Sequence, residues 1–422
     1  MSRARAIPVR PLSAIGVGLL VAGAAVVISA PSAAAESLTI KPTATGIVVE
    51  MRGNGHGHGM SQYGARGAAI AGKTYRQIVA FYYPSTTLTT QPSRIWRVRL
   101  SGAGASTSIA AQSRTTVTGI KGYLPTAGIR RYRLIADAGT GLTLQKLPSA
   151  AGSAWVNAKT GLRNRAEFYR YGGVPSRLYL SDGSSTDYDG YLRAVRGSAS
   201  GAAGGVYTVN RVNDDRYTSA VVPREMPASW QRAAVYAQAV AARTYAAYNA
   251  AHPASAEYDL CDTTSCQVYG GRTHFSSTGA VLWTNFDAAA VGTSHQVLQY
   301  KNGAVFAQFS ASDGGWTAAG GQPYLKAQAD PYNNAASSDP YLDYRRTVPV
   351  KSIAAHYGLA KLTKIVISSR DGHGVWGGRA LSGTVTGTDR AGKAKSVSTT
   401  GFGLQDAFGA GTTWFRLLSA TP

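Results

Sequence analysis

The chain has 422 residues, 43 of them basic and 21 acidic, for a formal net charge of +22. That excess attracts polyanions at long range, yet no aromatic-basic ribonucleoprotein motif or zinc-finger spacing is present, which argues against a nucleic-acid partner. With 49 glycines and only 15% charged residues, the composition describes a turn-rich, largely β protein rather than a disordered one, long enough for a sizeable core and one or two domains.

The N-terminus carries Arg3, Arg5 and Arg10 without an acidic residue, then an apolar run over 12–30, then Ala33-Ala34-Ala35 before Glu36. Charged, apolar and small-residue segments in that order predict a secretory signal over 1–35; the alternative is an uncleaved anchor helix. No later stretch is apolar enough to span a membrane, so the processed chain is expected outside the cytoplasm, secreted or at a cell wall. An acidic wall polymer is then the expected polyanion, against the plainer reading that a basic surface only maintains solubility.

A strand-like stretch at 46–51 leads into the glycine-histidine run 53–59. Helices are expected over 61–71 and 74–83, the second ending before Pro84. From 95 to 209 short alternating runs recur between Gly, Ser and Asp, for example Trp96-Arg97-Val98-Arg99-Leu100, Tyr132-Arg133-Leu134-Ile135-Ala136 and Arg177-Leu178-Tyr179-Leu180. Period-two alternation predicts half-buried strands, and 91–205 reads as a β-rich lobe. The clearest helix is expected over 229–250, rich in alanine and free of Gly and Pro, with Ser229 as its N-cap and Pro253 beyond its end. Trp230, Ala233, Ala234, Ala237, Val240, Ala241 and Thr244 give it a narrow stripe suited to close packing. Short strands return at 304–309 and 364–368. The fold class is α+β, β-rich with one long helix.

Glu225 stands just before that helix, between Pro223 and Pro227, with Met226 and Trp230 as apolar neighbours. Desolvation there raises a carboxyl pKa toward the range of a general acid, whereas a helix N-terminus pulls it down. The plainer reading is a residue that assists the helix start or pairs with Arg224 or Arg243. His56 and His58 share one side if their glycine-rich run is extended; this reads as a glycine-lined cleft edge with His58 toward substrate, the alternatives being a two-histidine metal site or simple packing. Cys261 and Cys266 are the only cysteines, and export makes a small disulfide loop the default. A zinc site with His252, or free thiols, are the alternatives.

Glu225-Met226-Pro227, Ser229-Trp230 and the stretch Ala237-Gln238-Ala239-Val240-Ala241-Ala242-Arg243-Thr244-Tyr245-Ala246 closely resemble the stage II sporulation protein D family, also called SpoIID/LytB. Cys266-Gln267-Val268-Tyr269, Ser310-x-Ser312-x-Gly314-Gly315-x-Thr317, Pro323-Tyr324-Leu325 and Thr413-Trp414-Phe415 resemble further motifs of that family, in order. Asn210-Arg211-Val212 with Tyr217 resembles the strand and turn leading into its EMP motif. One departure stands out. The motif Gly53-Asn54-Gly55-His56-Gly57-His58-Gly59-Met60-Ser61-Gln62-Tyr63-Gly64-Ala65 and the following 72–84 lie near the N-terminus, whereas the family order puts them at the C-terminus. The order is that of a circular permutation, which implies that 36–90 packs on a core of 206–422 with the segment near Gly53 beside that near Phe415.

The resemblance implies lytic transglycosylase-like cleavage of MurNAc–GlcNAc strands of peptidoglycan, leaving 1,6-anhydro ends, with Glu225 as the acid in a glycan-binding cleft. It implies substrate-binding roles for His58, Ser61, Gln62, Arg243, Gln267, Tyr269, Ser312, Gly314 and Gly315; Asp262 and Asp313 are candidate stabilisers or, in a hydrolase, bases. The family's Lys is replaced by Tyr236, which puts the transfer of activity in question. No cofactor is expected, zinc being the alternative. The partners expected are glycan strands, acidic wall polymers and a cell-wall amidase, the last through a non-catalytic enhancer role that is the alternative function.

Overall fold

The computed structural model describes residues 35–197, 205–284 and 288–421. The expected signal segment lies outside them, apart from Ala35. Among the described residues, no helix is long and apolar enough to cross a membrane. The fold is α+β and mostly β, with helices α1 (Gln62–Ile70), α2 (Tyr75–Tyr82), α3 (Asp214–Glu225), α4 (Arg232–Ala251), α5 (Ala288–Gly292), α6 (Val350–His356) and α7 (Gly401–Phe408).

The alternating runs of the first half form two stacked sheets. One has six strands in the order Leu260–Cys261, Ile95–Leu100, Val206–Asn213, Tyr191–Arg196, Arg165–Arg170 and Thr115–Val117. The other has eight, in the order Val156–Leu162, Leu142–Pro148, Ile129–Ala136, Thr107–Ala110, Ser176–Tyr179, Ser185–Tyr188, Thr273–Phe275 and Val281–Thr284. Their inward residues, such as Val98, Ile109, Leu134, Phe168, Leu178 and Leu192, join one hydrophobic cluster with α1, α2, α3 and α4. The small-residue stripe of α4 serves that packing, since Ala234, Ala237, Val240, Ala241 and Thr244 are fully buried. Thr244 Oγ1 also accepts the Leu298 N–H at 2.9 Å, tying the helix to the strand Gln296–Tyr300.

A second cluster gathers Ile47, Val49 and Met51 with Ile353, Ile365, Leu404, Phe408 and Phe415. Its frame is the sheet in which Gly46–Met51 lies between Tyr344–Pro349 and Phe415–Thr421, with Met51 facing Phe415. The two ends of the described chain therefore share one sheet.

Several boundaries differ from the sequence reading. The long helix begins at Arg232 rather than Ser229, because residues 227–230 turn tightly, with Trp230 N–H bonded to Pro227 O at 3.0 Å. Gln231 is its N-cap and makes no side-chain cap bond. The residues after Asn213 form α3 instead of a turn: the Asn213 side chain caps the helix, and Asp214 and Asp215 occupy its positive first turn. Pro223 is accommodated in the last turn. The expected strand at 304–309 is reduced to Gly303–Ala304 and Phe309–Ser310.

Glu50 fastens the shared sheet. It is 3% exposed and accepts from Arg345 Nε at 2.8 Å and Arg416 Nε at 2.5 Å, one arginine from each flanking strand. Burial pushes its carboxyl up, but the hydrogen bonds and charges of Arg345 and Arg416 outweigh burial and hold it below its ordinary value. A lowered carboxyl pKa contributes stability that is present above the unfolded-state value and lost as pH falls through the folded one. Glu50→Gln should therefore lower the melting temperature at pH 7 by a few degrees, on the order of 2–4 °C, with the gap to wild type closing as pH falls through the folded-state value. An equal gap above and below that value would refute the ionic origin.

Candidate active site

Glu225 is the last residue of α3, not a residue at the start of the long helix. This settles the dipole question left open by the sequence. The carboxylate sits at the negative end of its helix, where the dipole disfavours the anion. Its part-buried side chain accepts the Val268 N–H at 3.2 Å and bonds the Gln62 side chain. Burial raises its pKa, and those two hydrogen bonds offset only part of the rise.

Neither arginine suggested as a partner is engaged with it. Arg224 turns its guanidinium over the Trp283 ring at 4.5 Å. Arg243 is fully buried and holds Asp215 at 2.8 Å with the carbonyls of Ala290 and Thr293 at 2.9 and 2.8 Å. It braces α4 against α3 and 290–296 and does not line the cavity at Glu225.

That cavity, about 250 Å³, is lined by His56, Glu225, Tyr245, Thr264, Ser265, Cys266, Gln267, Val268, Gln308 and Phe309. Glu225 is the only carboxylate among them. A second cavity of about 260 Å³ shares His56 with the first and is also lined by His58, Asp371, His373, Arg379 and Phe402 among others.

The glycine-histidine run is not extended. Gly53, Gly55, Gly57 and Gly59 all have positive φ, so the chain reverses at alternate residues. The two histidine rings lie 4.8 Å apart, and His56 Nδ1 accepts the His58 N–H at 2.9 Å. Burial, then His58 and Arg379, pull the His56 pKa down to about 4, so its ring is neutral at pH 7 and carries its proton on Nε2. His56, rather than His58, reaches the Glu225 cavity, and His58 lines the neighbouring one. Gly59 is needed for this path because a Cβ there would come within 2.1 Å of Gln308 O.

The remaining candidates divide between lining and scaffold. Gln267 lines the cavity while its Oε1 accepts the Tyr217 hydroxyl at 2.8 Å. Gln62 holds Glu225 and donates to Gln238 Oε1 at 3.4 Å. Tyr269 stacks on Tyr217 and donates to Asn210 Oδ1 at 2.5 Å; being buried, it packs beneath the site instead of meeting a ligand. Ser61 caps α1 by accepting the Gly64 N–H at 3.0 Å. Ser312 is fully buried and donates to Asp339 at 2.5 Å, while Gly314 and Gly315 turn the chain against Arg52 and Gly53. None of these four lines the cavity at Glu225. Asp262 accepts the Ser101 N–H at 3.0 Å, and Asp313 is fully buried with Asn333 and Gly315; neither lines the cavity. Tyr236 lies in a separate depression with Trp230 and Arg232 and does not line the Glu225 cavity.

Cys261 and Cys266 are joined by a disulfide, so neither supplies a thiolate to zinc, and His252 Nδ1 is bonded to Tyr248 O at 2.9 Å. Asp214, Asp215 and His295 are close enough to hold an ion, but Asp215 is already paired with Arg243 and Asp214 with His295 at 2.7 Å.

His56, Tyr245, Thr264, Ser265, Gln308 and Phe309 line the cavity without having been singled out for it. For His56 the pairing with His58 was the available signal; Gln308 had none.

Residues 202–300 match the SpoIID family model, described as stage II sporulation protein. A protein of Bacillus subtilis (strain 168) named amidase enhancer is 35% identical over 134 residues, covering 30% of this chain and 16% of that protein. An uncharacterized protein of Brachyspira hyodysenteriae (strain ATCC 49526 / WA1) is 36% identical over 144 residues, 31% of this chain and 37% of that protein. The resemblance read from the motifs is borne out over that region, and the match spans well under half the length of either curated relative.

Two outcomes follow from this geometry. Arg243→Ala should cost about 3–5 kcal/mol in denaturant unfolding, because it leaves Asp215 and buried carbonyls without their cation; normal stability with weakened glycan binding would restore a substrate role. Because folding raises the Glu225 pKa, its ionisation costs stability as pH rises through the folded value, and the cost is absent below the unfolded one. Glu225→Gln should therefore stabilise the protein at pH 8 by about 0.5–2 kcal/mol and not at pH 3; a variant less stable at pH 8 would contradict the raised pKa.

Proposed function

We propose that this protein is a peptidoglycan-active, lytic transglycosylase-like enzyme of the cell wall, with Glu225 as its acid and base. The observation that carries the reading is a part-buried carboxyl with a raised pKa, the only carboxylate among the described residues that line its cavity.

One carboxyl is enough for this reaction. Protonated Glu225 gives its proton to the glycosidic oxygen; the bond from that oxygen to C1 of the MurNAc ring breaks, and an oxocarbenium-like centre forms. The Glu225 carboxylate then takes the proton of the same sugar's 6-hydroxyl as O6 bonds to C1 and closes the 1,6-anhydro ring. Water is not consumed and the carboxyl ends protonated. A raised pKa suits the first step, because the acid must hold its proton near neutral pH. The neutral imidazole of His56 and the amide of Gln267 offer hydrogen bonds to sugar hydroxyls without an added charge that would favour ionised Glu225.

The second reading is a non-catalytic cell-wall role that stimulates an amidase, favoured by the relative of that name. The two separate on one sample. Purified protein and its Glu225→Gln variant are incubated with peptidoglycan, and the products are analysed by mass spectrometry. Anhydro-muramyl ends are expected from wild type only, with a fall of at least about 100-fold in the variant, and the wild-type rate should decline as pH rises through the Glu225 pKa. Anhydro ends from both proteins would remove Glu225 from the role. Their absence from both, with amidase stimulation intact, would favour the enhancer.

A further inference from the structure

The outer face of the eight-stranded sheet carries a second constellation that the cleft does not use. Strand pairing aligns Gln145, Arg133, Ser108, Tyr179, Ser185 and Phe275 in one row across the sheet. Arg131 and Arg177 stand one row along, on the same face. The alternate residues Tyr132, Leu134, Ile109 and Leu178 point inward and are buried in the core.

Each arginine of this face is backed by an aromatic ring. Arg131 lies 3.4 Å from the Tyr179 ring centre, Arg133 4.2 Å from that of Trp155 and Arg177 3.6 Å from that of Phe275. Stacking fixes the plane of a guanidinium and leaves its edge for hydrogen bonds. Arg177 spends its edge on Asp187, at 2.8 and 3.1 Å. Arg131 and Arg133 form no ion pair among the described residues; Arg133 Nε donates to the neutral Gln145 Oε1 at 2.8 Å. Burial lowers the Arg133 pKa, as expected of a cation held without a counter-charge. Between Arg133 and Tyr179 sits Ser108, 9% exposed, whose hydroxyl has no hydrogen-bond partner among the described residues. A buried hydroxyl without a partner is costly unless something supplies one. The surrounding segment 91–196 holds 16 basic and 5 acidic residues, a strong local excess of positive charge.

We infer that this face, centred on Arg131, Arg133 and Ser108, binds a linear anionic polymer joined by phosphodiesters. Alternate residues on one strand set Arg131 and Arg133 about 7 Å apart, a step suited to successive anions on a flexible chain rather than to one small ion. The non-bridging oxygens of a phosphodiester leave phosphorus tetrahedrally, so one meets a guanidinium edge while another accepts from a hydroxyl out of that plane. A carboxylate's two oxygens are coplanar and are both satisfied by one guanidinium. The surface is distinct from the Glu225 cavity, and the inference stands whether or not Glu225 is catalytic.

The test is titration of the full chain with poly(glycerol phosphate), read by calorimetry and by tryptophan fluorescence, which Trp155 should report. Arg131→Gln with Arg133→Gln should weaken binding about tenfold or more. Arg131→Lys with Arg133→Lys keeps the charge, protects against a folding artefact and should still lose several-fold, because the planar edge is gone. Lys361→Gln with Lys393→Gln removes the same charge from exposed positions in the other lobe and should change affinity less than about twofold. Polygalacturonate, a carboxylate polymer, should bind more weakly than the phosphodiester. Equal losses from the glutamine pair and the distant lysine pair would reduce the effect to net charge and overturn the assignment. So would full affinity in the glutamine pair, or polygalacturonate binding equally well.

Discussion

A carboxyl group partly withdrawn from water at the negative end of a helix is the constraint on which the candidate site depends. Glu225 has one peptide N–H and one side-chain amide as hydrogen-bond partners, and its two arginine neighbours in sequence are engaged elsewhere. Had Arg243 or Arg224 reached it, the ion pair would hold the carboxyl ionised and unfit as an acid near neutral pH. Arg243 is withheld by Asp215 and buried carbonyls, and Arg224 by the Trp283 ring, so both contribute to the site by their absence from it.

Withdrawing that carboxyl from water needs surfaces from widely separated parts of the chain. The glycine-histidine loop supplies His56 and the first residue of α1 supplies Gln62; α1 is held to the segment after Glu225 by Trp230, whose ring packs at 4.8 Å from Tyr63 and lies under Arg66 at 5.0 Å. The disulfide loop supplies Cys266, Gln267 and Val268. Buried Arg379 anchors the loop from the other lobe, donating to Asp313 O at 2.8 Å, and a Cβ at Gly57 would come within 2.3 Å of its guanidinium. Glycine at 57 and 59 is thus a requirement of close approach as well as of positive φ.

Much of this was legible in the sequence, and the limits have physical causes. Period-two alternation marks strands because one face of each is buried, and alanine-rich text without glycine or proline marks α4 wherever it packs. The motif text also singled out Glu225, and the family resemblance holds over 202–300. What failed was the local frame. Pro223 is tolerated in the last turn of α3, so Glu225 closes a helix that the sequence did not reveal, and the sign of the dipole was left open. The positive φ of alternate glycines turned His56 to the cavity, an exchange with His58 that a simple alternation rule cannot foresee. Ser312, Gly314 and Gly315 belong to a recognisable motif, but recognition does not tell a ligand contact from a scaffold contact; burial does. The outer arginine row was invisible for another reason: Arg133, Ser108 and Tyr179 become neighbours only through strand pairing between distant segments.

The most direct test of the central claim is the ionisation of Glu225 itself. Carboxyl carbon shifts of protein labelled at glutamate side chains, followed by NMR against pH and assigned with Glu225→Gln, give its pKa without requiring turnover. The account predicts a midpoint clearly above the ordinary glutamate value of 4.5. A midpoint at or below that value would show a solvated or ion-paired carboxylate and would contradict the account at its base.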